Sequence, residues 1–357
     1  MYWALIIIKM NKFKKINIAL NNLSSKEYKS WYLFFLIFVI FHGVNIFNYE
    51  EFSLLINDPF IKLSAERQYH HQSPIQYFIG FLLFKVISST YICFVITQLM
   101  AISLLIYSVK LFSKKFLIEG DYMLKVFILS PGLLILLAWF GKPDLFLISS
   151  YLILISASRK SYILVSSIIM VFSHYQISIL YFVFSFLLKL IKINKIYIFS
   201  FLISLIIFNI YLIELGPIQG RAELYSSTLD IIFLTSFNNF LLGIFSVFSW
   251  LWLPIIISKN LFTKRTVSIF AIAIAAGCFG DFTRASFLTL IPLYVYLISN
   301  TEFKEKFLSF VDLYPVKLLA LIQFQKVFYG EITEISWFWT SMEKLDLFLR
   351  NIMTLIN

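Results

Sequence analysis

The chain has 357 residues, of which 60% are hydrophobic and only 14% charged. A soluble domain carries about 45–50% apolar and about 25% charged residues, so lipid is expected to be the solvent for most of this chain. The net charge of +11 would suit nucleic acid; here Lys and Arg gather in short clusters between apolar runs, as in cytoplasmic loops, and no nucleic-acid partner is expected.

Residues 1–30 read as a basic, interfacial N-terminus. Its apolar stretch is too short to span, and Lys9, Lys12, Lys14, Lys15, Lys26 and Lys29 hold it in the cytoplasm. A span needs about 20 mostly apolar residues. The first runs from Trp31 to Tyr49 and delivers Glu50 to the outer face. A polar outer loop, residues 50–74, follows and ends at Pro74. After the short apolar segment IQYFIGFLLFKVIS, a second span, Thr90 to Phe112, returns to Lys110, Lys114 and Lys115.

Helical hairpins are then expected to repeat. Span three (Lys125 to Trp139) exits at GKPD, and span four returns to Arg159 and Lys160. Span five (Tyr162 to Ser173) exits at SHYQ, and span six returns to Lys189, Lys192 and Lys195. Span seven reaches Glu214 and a second outer loop, residues 215–235. Span eight returns to Lys259, Lys264 and Arg265; span nine exits at GDFTR, and span ten returns to Lys304 and Lys306. The fold class is all-α, a polytopic integral membrane helical bundle of about ten transmembrane helices over residues 31–300. Residues 301–357 read as a cytoplasmic amphipathic tail, with an eleventh span as the alternative. Every basic cluster falls inside under one assignment, which sets a cytoplasmic N-terminus, and the high Ile, Phe, Lys and Asn content suggests an AT-rich bacterial genome.

The polar residues therefore gather on the outer face. In the first loop Glu50, Glu51 and Asp58 are candidate bases, since a carboxylate can take the proton of an attacking hydroxyl; a solvated loop is the competing reading. Arg67 and His71 stand beside them. His70 and His71 are adjacent and lack ligand spacing, so no metal site is read from them, although carboxylates here could hold a divalent cation on a phosphate, and cofactors stay unassigned. Lys142 and Asp144 sit at a hairpin crest, as an internal ion pair or a phosphate contact. His174 and Gln176 interrupt an apolar stretch at membrane depth. Arg221 lies in the second loop. Asp281 and Arg284 are spaced i,i+3, which suits a structural pair, while the Arg fork suits a phosphate. No P-loop, GxGxxG, HExxH or GxSxG pattern occurs.

The acidic first loop followed by Ser73-Pro74-Ile75-Gln76-Tyr77, and the later SPGLLILLAWFGKPD, resemble GT-C glycosyltransferases. The stretch from GKPD through Phe172-Ser173-His174 resembles Wzy- or EpsG-type polysaccharide polymerases, with Lys142-Pro143-Asp144 standing where an Arg-Gln pair is expected. The resemblance implies sugar transfer or polymerisation from a polyprenyl-phosphate-linked donor to a glycan acceptor, in O-antigen, capsule or exopolysaccharide assembly. It implies Glu50, Glu51 or Asp58 as base and Lys142, Arg221 and Arg284 as phosphate contacts. The alternatives are a flippase for lipid-linked glycan, which should carry polar residues at the bilayer midplane, and an acyltransferase built on His174.

Overall fold

The computed structural model describes residues 33–39, 48–192, 194–216, 244–258, 261–277, 282–314, 316–321, 324–325 and 334–335. The architecture is helical: α1 Tyr49–Leu55, a 3₁₀ segment Ala65–Gln72, α2 Ile75–Phe84, α3 Thr90–Phe116, α4 Gly120–Leu129, α5 Gly132–Ala138, α6 Asp144–Ser156, α7 Lys160–Ser173, α8 Tyr175–Leu187 and α9 Lys195–Leu215. The apolar stretch Ile244–Ile257 ends in α10 Trp252–Ile257. Then come α11 Lys264–Gly277, α12 Phe282–Thr289, α13 Ile291–Ser299, α14 Thr301–Leu313 and α15 Val316–Leu321. A two-residue antiparallel pairing of Phe324–Gln325 with Glu334–Ile335 is the one extended element among the described residues.

Two of these helices, α3 with 27 residues and α9 with 21, are long and apolar enough to cross a membrane by length and composition. Among the described residues the other expected spans are not found as single helices of that length. At 1.5 Å per residue, α6, α7 and α8, with 13, 14 and 13 residues, reach only about 20 Å against a hydrocarbon core of about 30 Å. Proline is one physical reason. It lacks an N–H and leaves the carbonyl four residues earlier without its helical donor. Pro131 splits the third expected span into α4 and α5, and the Ser130 hydroxyl takes the freed Phe127 carbonyl at 2.7 Å. Pro292 accompanies the split of the tenth into α12 and α13, and the Tyr181 hydroxyl donates to the Leu288 carbonyl at 2.5 Å. Ahead of Pro74 and Pro143, backbone N–H groups of Ser73 and Lys142 turn back to His70 and Trp139 at 3.1 Å each.

The central element is α6, whose residues from Asp144 to Ile155 are all buried and which packs on α3 and α7. A helix apolar all round has no face for water, and this one is surrounded. The two long helices carry large apolar side chains on their exposed faces. Helix α9 buries Ser200 and Ser204 while Ile206, Ile210 and Ile213 are 58%, 61% and 77% exposed. Helix α3 buries Thr97, Gln98 and Ser108 and exposes Leu99, Met100 and Ile106. Large apolar groups outward, with hydroxyls and amides packed among buried rings such as Phe112, Phe201 and Phe208, suit lipid surroundings. The buried hydroxyls of Ser200's neighbour Ser204, and of Ser149, Ser167 and Ser185, bond carbonyls of their own helices.

Successive helices run back and forth between two ends. At one end Lys115 donates to the Ile155 carbonyl at 2.7 Å, Arg265 to that of Leu187 at 3.4 Å, and Lys304 pairs with Glu119 at 3.5 Å. At the other end Asp144 meets Arg284, the Phe78 ring meets Phe172, and Tyr211 reaches back to the first loop. The core continues past residue 300: Phe303, Phe307, Phe310 and Val311 form the buried stripe of α14.

Candidate functional site

The end opposite the lysines carries two polar groupings. The first is built from the loop between α1 and α2. Glu50 and Glu51 open α1, where the helix dipole favours acidic groups. Arg67, from the 3₁₀ segment, lies 3.2 Å from Glu50 and 3.6 Å from Glu51. His70 Nε2 is 3.8 Å from the same Glu51 oxygen, and its Nδ1 is 3.0 Å from the Tyr77 hydroxyl. The side chain of Glu50 is 75% exposed and that of Glu51 only 15%. Glu51 is thus the carboxylate withdrawn from water, with the Arg67 and His70 nitrogens within 4 Å of one of its oxygens. Asp58 is exposed and accepts from the Phe60 N–H at 2.9 Å, capping its own turn.

His71 is buried beside this cluster. Its Nδ1 lies 2.8 Å from the Tyr211 hydroxyl, which donates to the Pro59 carbonyl at 3.3 Å. Burial pushes the imidazole below its ordinary titration range, and the Ile61 carbonyl pulls weakly the other way. This chain ties the loop to the last turn of α9. The rings of Phe60, Phe78 and Phe172 gather around Tyr211 and tie it to the end of α7 as well.

The second grouping joins α6 to α12. Asp144, the first residue of α6, and Arg284 are both buried and meet fork to fork, Nε to Oδ2 at 2.7 Å and Nη2 to Oδ1 at 2.6 Å. The guanidinium carbon lies 5.3 Å from the Trp139 ring centre and the Lys142 ammonium 5.8 Å from it, both within cation–π range. The acid that Arg284 grips is therefore Asp144, 140 residues away in the chain and at the same crest as Lys142. Asp281 and Arg221 lie outside the described residues. His174 is half-buried at the turn between α7 and α8, and Gln176 is exposed; Tyr175 between them stacks on Phe208 at 5.0 Å.

The structure brings together Glu50, Glu51, Arg67, His70 and His71, and separately Asp144, Arg284 and Lys142. Sequence reading missed Trp139, Tyr77 and Tyr211 as members. Tyr77 closes the Ser73–Tyr77 motif and Trp139 lies in the stretch before GKPD that carried the resemblance, while a lone Tyr near the end of an apolar run was the signal for Tyr211. Among the described residues no group of three or more His, Cys, Asp or Glu side chains is placed to hold a metal ion. Comparisons with protein-family models, with curated proteins and with solved structures find no match.

Proposed function

We propose that this protein is a multi-pass membrane enzyme of the bacterial inner membrane that transfers or polymerises sugars from a polyprenyl-phosphate-linked donor, working at the polar end of its bundle. The observation that carries this reading is the gathering of Glu50, Glu51, Arg67, His70 and His71 at one end, opposite the end that collects Lys115, Lys160, Arg265 and Lys304. The exposed apolar faces of α3 and α9 support the lipid surroundings it requires. The short helices then cross in combination with their turns, about ten times in all, as the basic clusters imply.

In this reading Glu51 is the base. Its carboxylate takes the proton of the acceptor hydroxyl as that oxygen bonds to the anomeric carbon; the bond from the anomeric carbon to the donor's phosphate oxygen breaks, and the polyprenyl phosphate leaves with the electron pair. Arg67 and Lys142 are the cations at that end suited to the leaving phosphate. Arg284, with its fork on Asp144, holds α12 against α6. A one-sided polar cluster suits such an enzyme better than a flippase, which needs its polar groups at the midplane.

In a strain that depends on this gene, Glu51→Gln is expected to abolish glycan extension while the protein stays in the membrane at its usual level. Glu50→Gln and Asp58→Asn are expected to extend at near the normal rate. Unimpaired extension by Glu51→Gln would remove the assignment of the base.

A further inference from the structure

A cavity of about 360 Å³ lies on the lysine side of the bundle, between α3, α4, α6, α12 and α13. Its walls include Leu105, Val109, Met123, Phe127, Ile148 and Ile298. The polar atoms on its lining are already engaged. Ser130 donates to Phe127 at 2.7 Å, the Tyr294 hydroxyl to Val247 at 2.6 Å, and the Met123 sulfur accepts from Ser113 at 3.0 Å. Such a space offers water or a sugar no partner, and suits an apolar guest.

Its length and place identify the guest. The cavity follows α4 from Gly120 to Ser130, 1.5 Å per residue, so it runs for about 15 Å, half of a hydrocarbon core of about 30 Å. That is the depth of one leaflet. The end at Gly120 and Phe112 is the lysine-bearing end; within a turn of Phe112, at the close of α3, stand the exposed Lys114 and also Lys115, whose ammonium donates one of its protons to the Ile155 carbonyl. Gly120 is itself exposed, and a Cβ built there would meet no atom within 4 Å, so the mouth is open. We infer that this cavity holds an acyl chain of an anionic phospholipid from the leaflet at the lysine-bearing end, with the phosphate beside Lys114 and Lys115. The site rests on the membrane-spanning reading above, and it lies at the opposite end from Glu51.

Native mass spectrometry of the detergent-purified full chain, incubated in turn with phosphatidylglycerol, phosphatidylcholine and a short polyprenyl phosphate, tests it. One phosphatidylglycerol should remain bound per chain. Gly120→Trp should retain it about tenfold less well, the loss expected when about two methylenes no longer enter. Gly120→Ala, whose methyl meets nothing, should retain it as the wild type does. Val109→Trp, which narrows the cavity from α3, should act as Gly120→Trp does and serves if that variant does not fold. Equal retention by both Trp variants would overturn the site. Displacement of phosphatidylglycerol by polyprenyl phosphate would overturn the identity of the guest, and equal binding of phosphatidylcholine would overturn the role of the lysines. A chain that stays in solution without detergent would instead sink the membrane reading, whereas a detergent-dependent chain that binds no lipid would sink this inference alone.

Discussion

The Asp144–Arg284 pair sets the largest single energetic stake. Both side chains are buried and joined by two short bonds, so removing one partner strands a charge, at a cost of about 3–5 kcal/mol. Asp144→Asn should therefore lower the unfolding midpoint in detergent markedly. Arg284→Lys should do so less, because lysine keeps the charge and loses the fork. The double variant Asp144→Leu with Arg284→Met should recover most of the loss, since matched apolar groups strand nothing. A double variant no more stable than Asp144→Asn would show that the pair does more than satisfy itself. His71 gives a second handle. Burial holds its folded titration below the ordinary value of about 6.5. The unfolded chain then binds the proton first, so this contribution is whole above about pH 6.5 and is lost as pH falls below it. Thermal melts between about pH 5 and 8 should show that loss, and His71→Asn should flatten it; an unchanged acid slope would assign the effect elsewhere. Much of this site was legible as residue types, because charged groups in an apolar chain stand out. The pairing was not: Asp144 and Arg284 meet only because α6 and α12 begin side by side, which no local spacing encodes.

Elements were more legible in position than in continuity. Helix α9 was expected to reach Glu214 and runs Lys195–Leu215, and the second span ran four residues beyond Phe112 to Phe116. Gly216 at positive φ closes α9, whereas α3 carries Lys110, Lys114 and Lys115 within its last turns and ends at Leu117 in the left-handed region. The breaks at Pro131 and Pro292 were written in the sequence too, yet hydropathy averages over them, because one proline lowers the mean of a window of about 19 residues only slightly. What makes the second break tolerable is remote: the Tyr181 hydroxyl supplies the donor that Pro292 lacks. Tyr181→Phe leaves the Leu288 carbonyl buried and unserved, which should cost about 1–3 kcal/mol in the unfolding equilibrium. Restoring the helix with Pro292→Ala in the Tyr181→Phe background should regain part of that loss. If Tyr181→Phe is as stable as the wild type, the carbonyl finds another donor and the break does not depend on α8.

At the scale of the whole molecule, alternation of basic clusters with polar turns was visible in the sequence, and among the described residues Lys115, Arg265 and Lys304 lie at one end and Glu51, Asp144 and Arg284 at the other. The packing that joins them was not visible, since apolar residues such as Ile206 and Phe208 look alike in sequence although the first is exposed and the second buried. Both the assignment of Glu51 as base and the lipid-chain cavity depend on those two ends lying on opposite sides of a membrane. Labelling in intact cells with a thiol reagent that cannot cross the membrane tests this directly. After Cys93→Ser and Cys278→Ser, Asn57→Cys, exposed beside Asp58, should label in whole cells. Lys160→Cys and Lys264→Cys, exposed at the other end, should label only once the membrane is opened. Labelling of all three in intact cells, or of Lys160→Cys without Asn57→Cys, would contradict the two-sided arrangement.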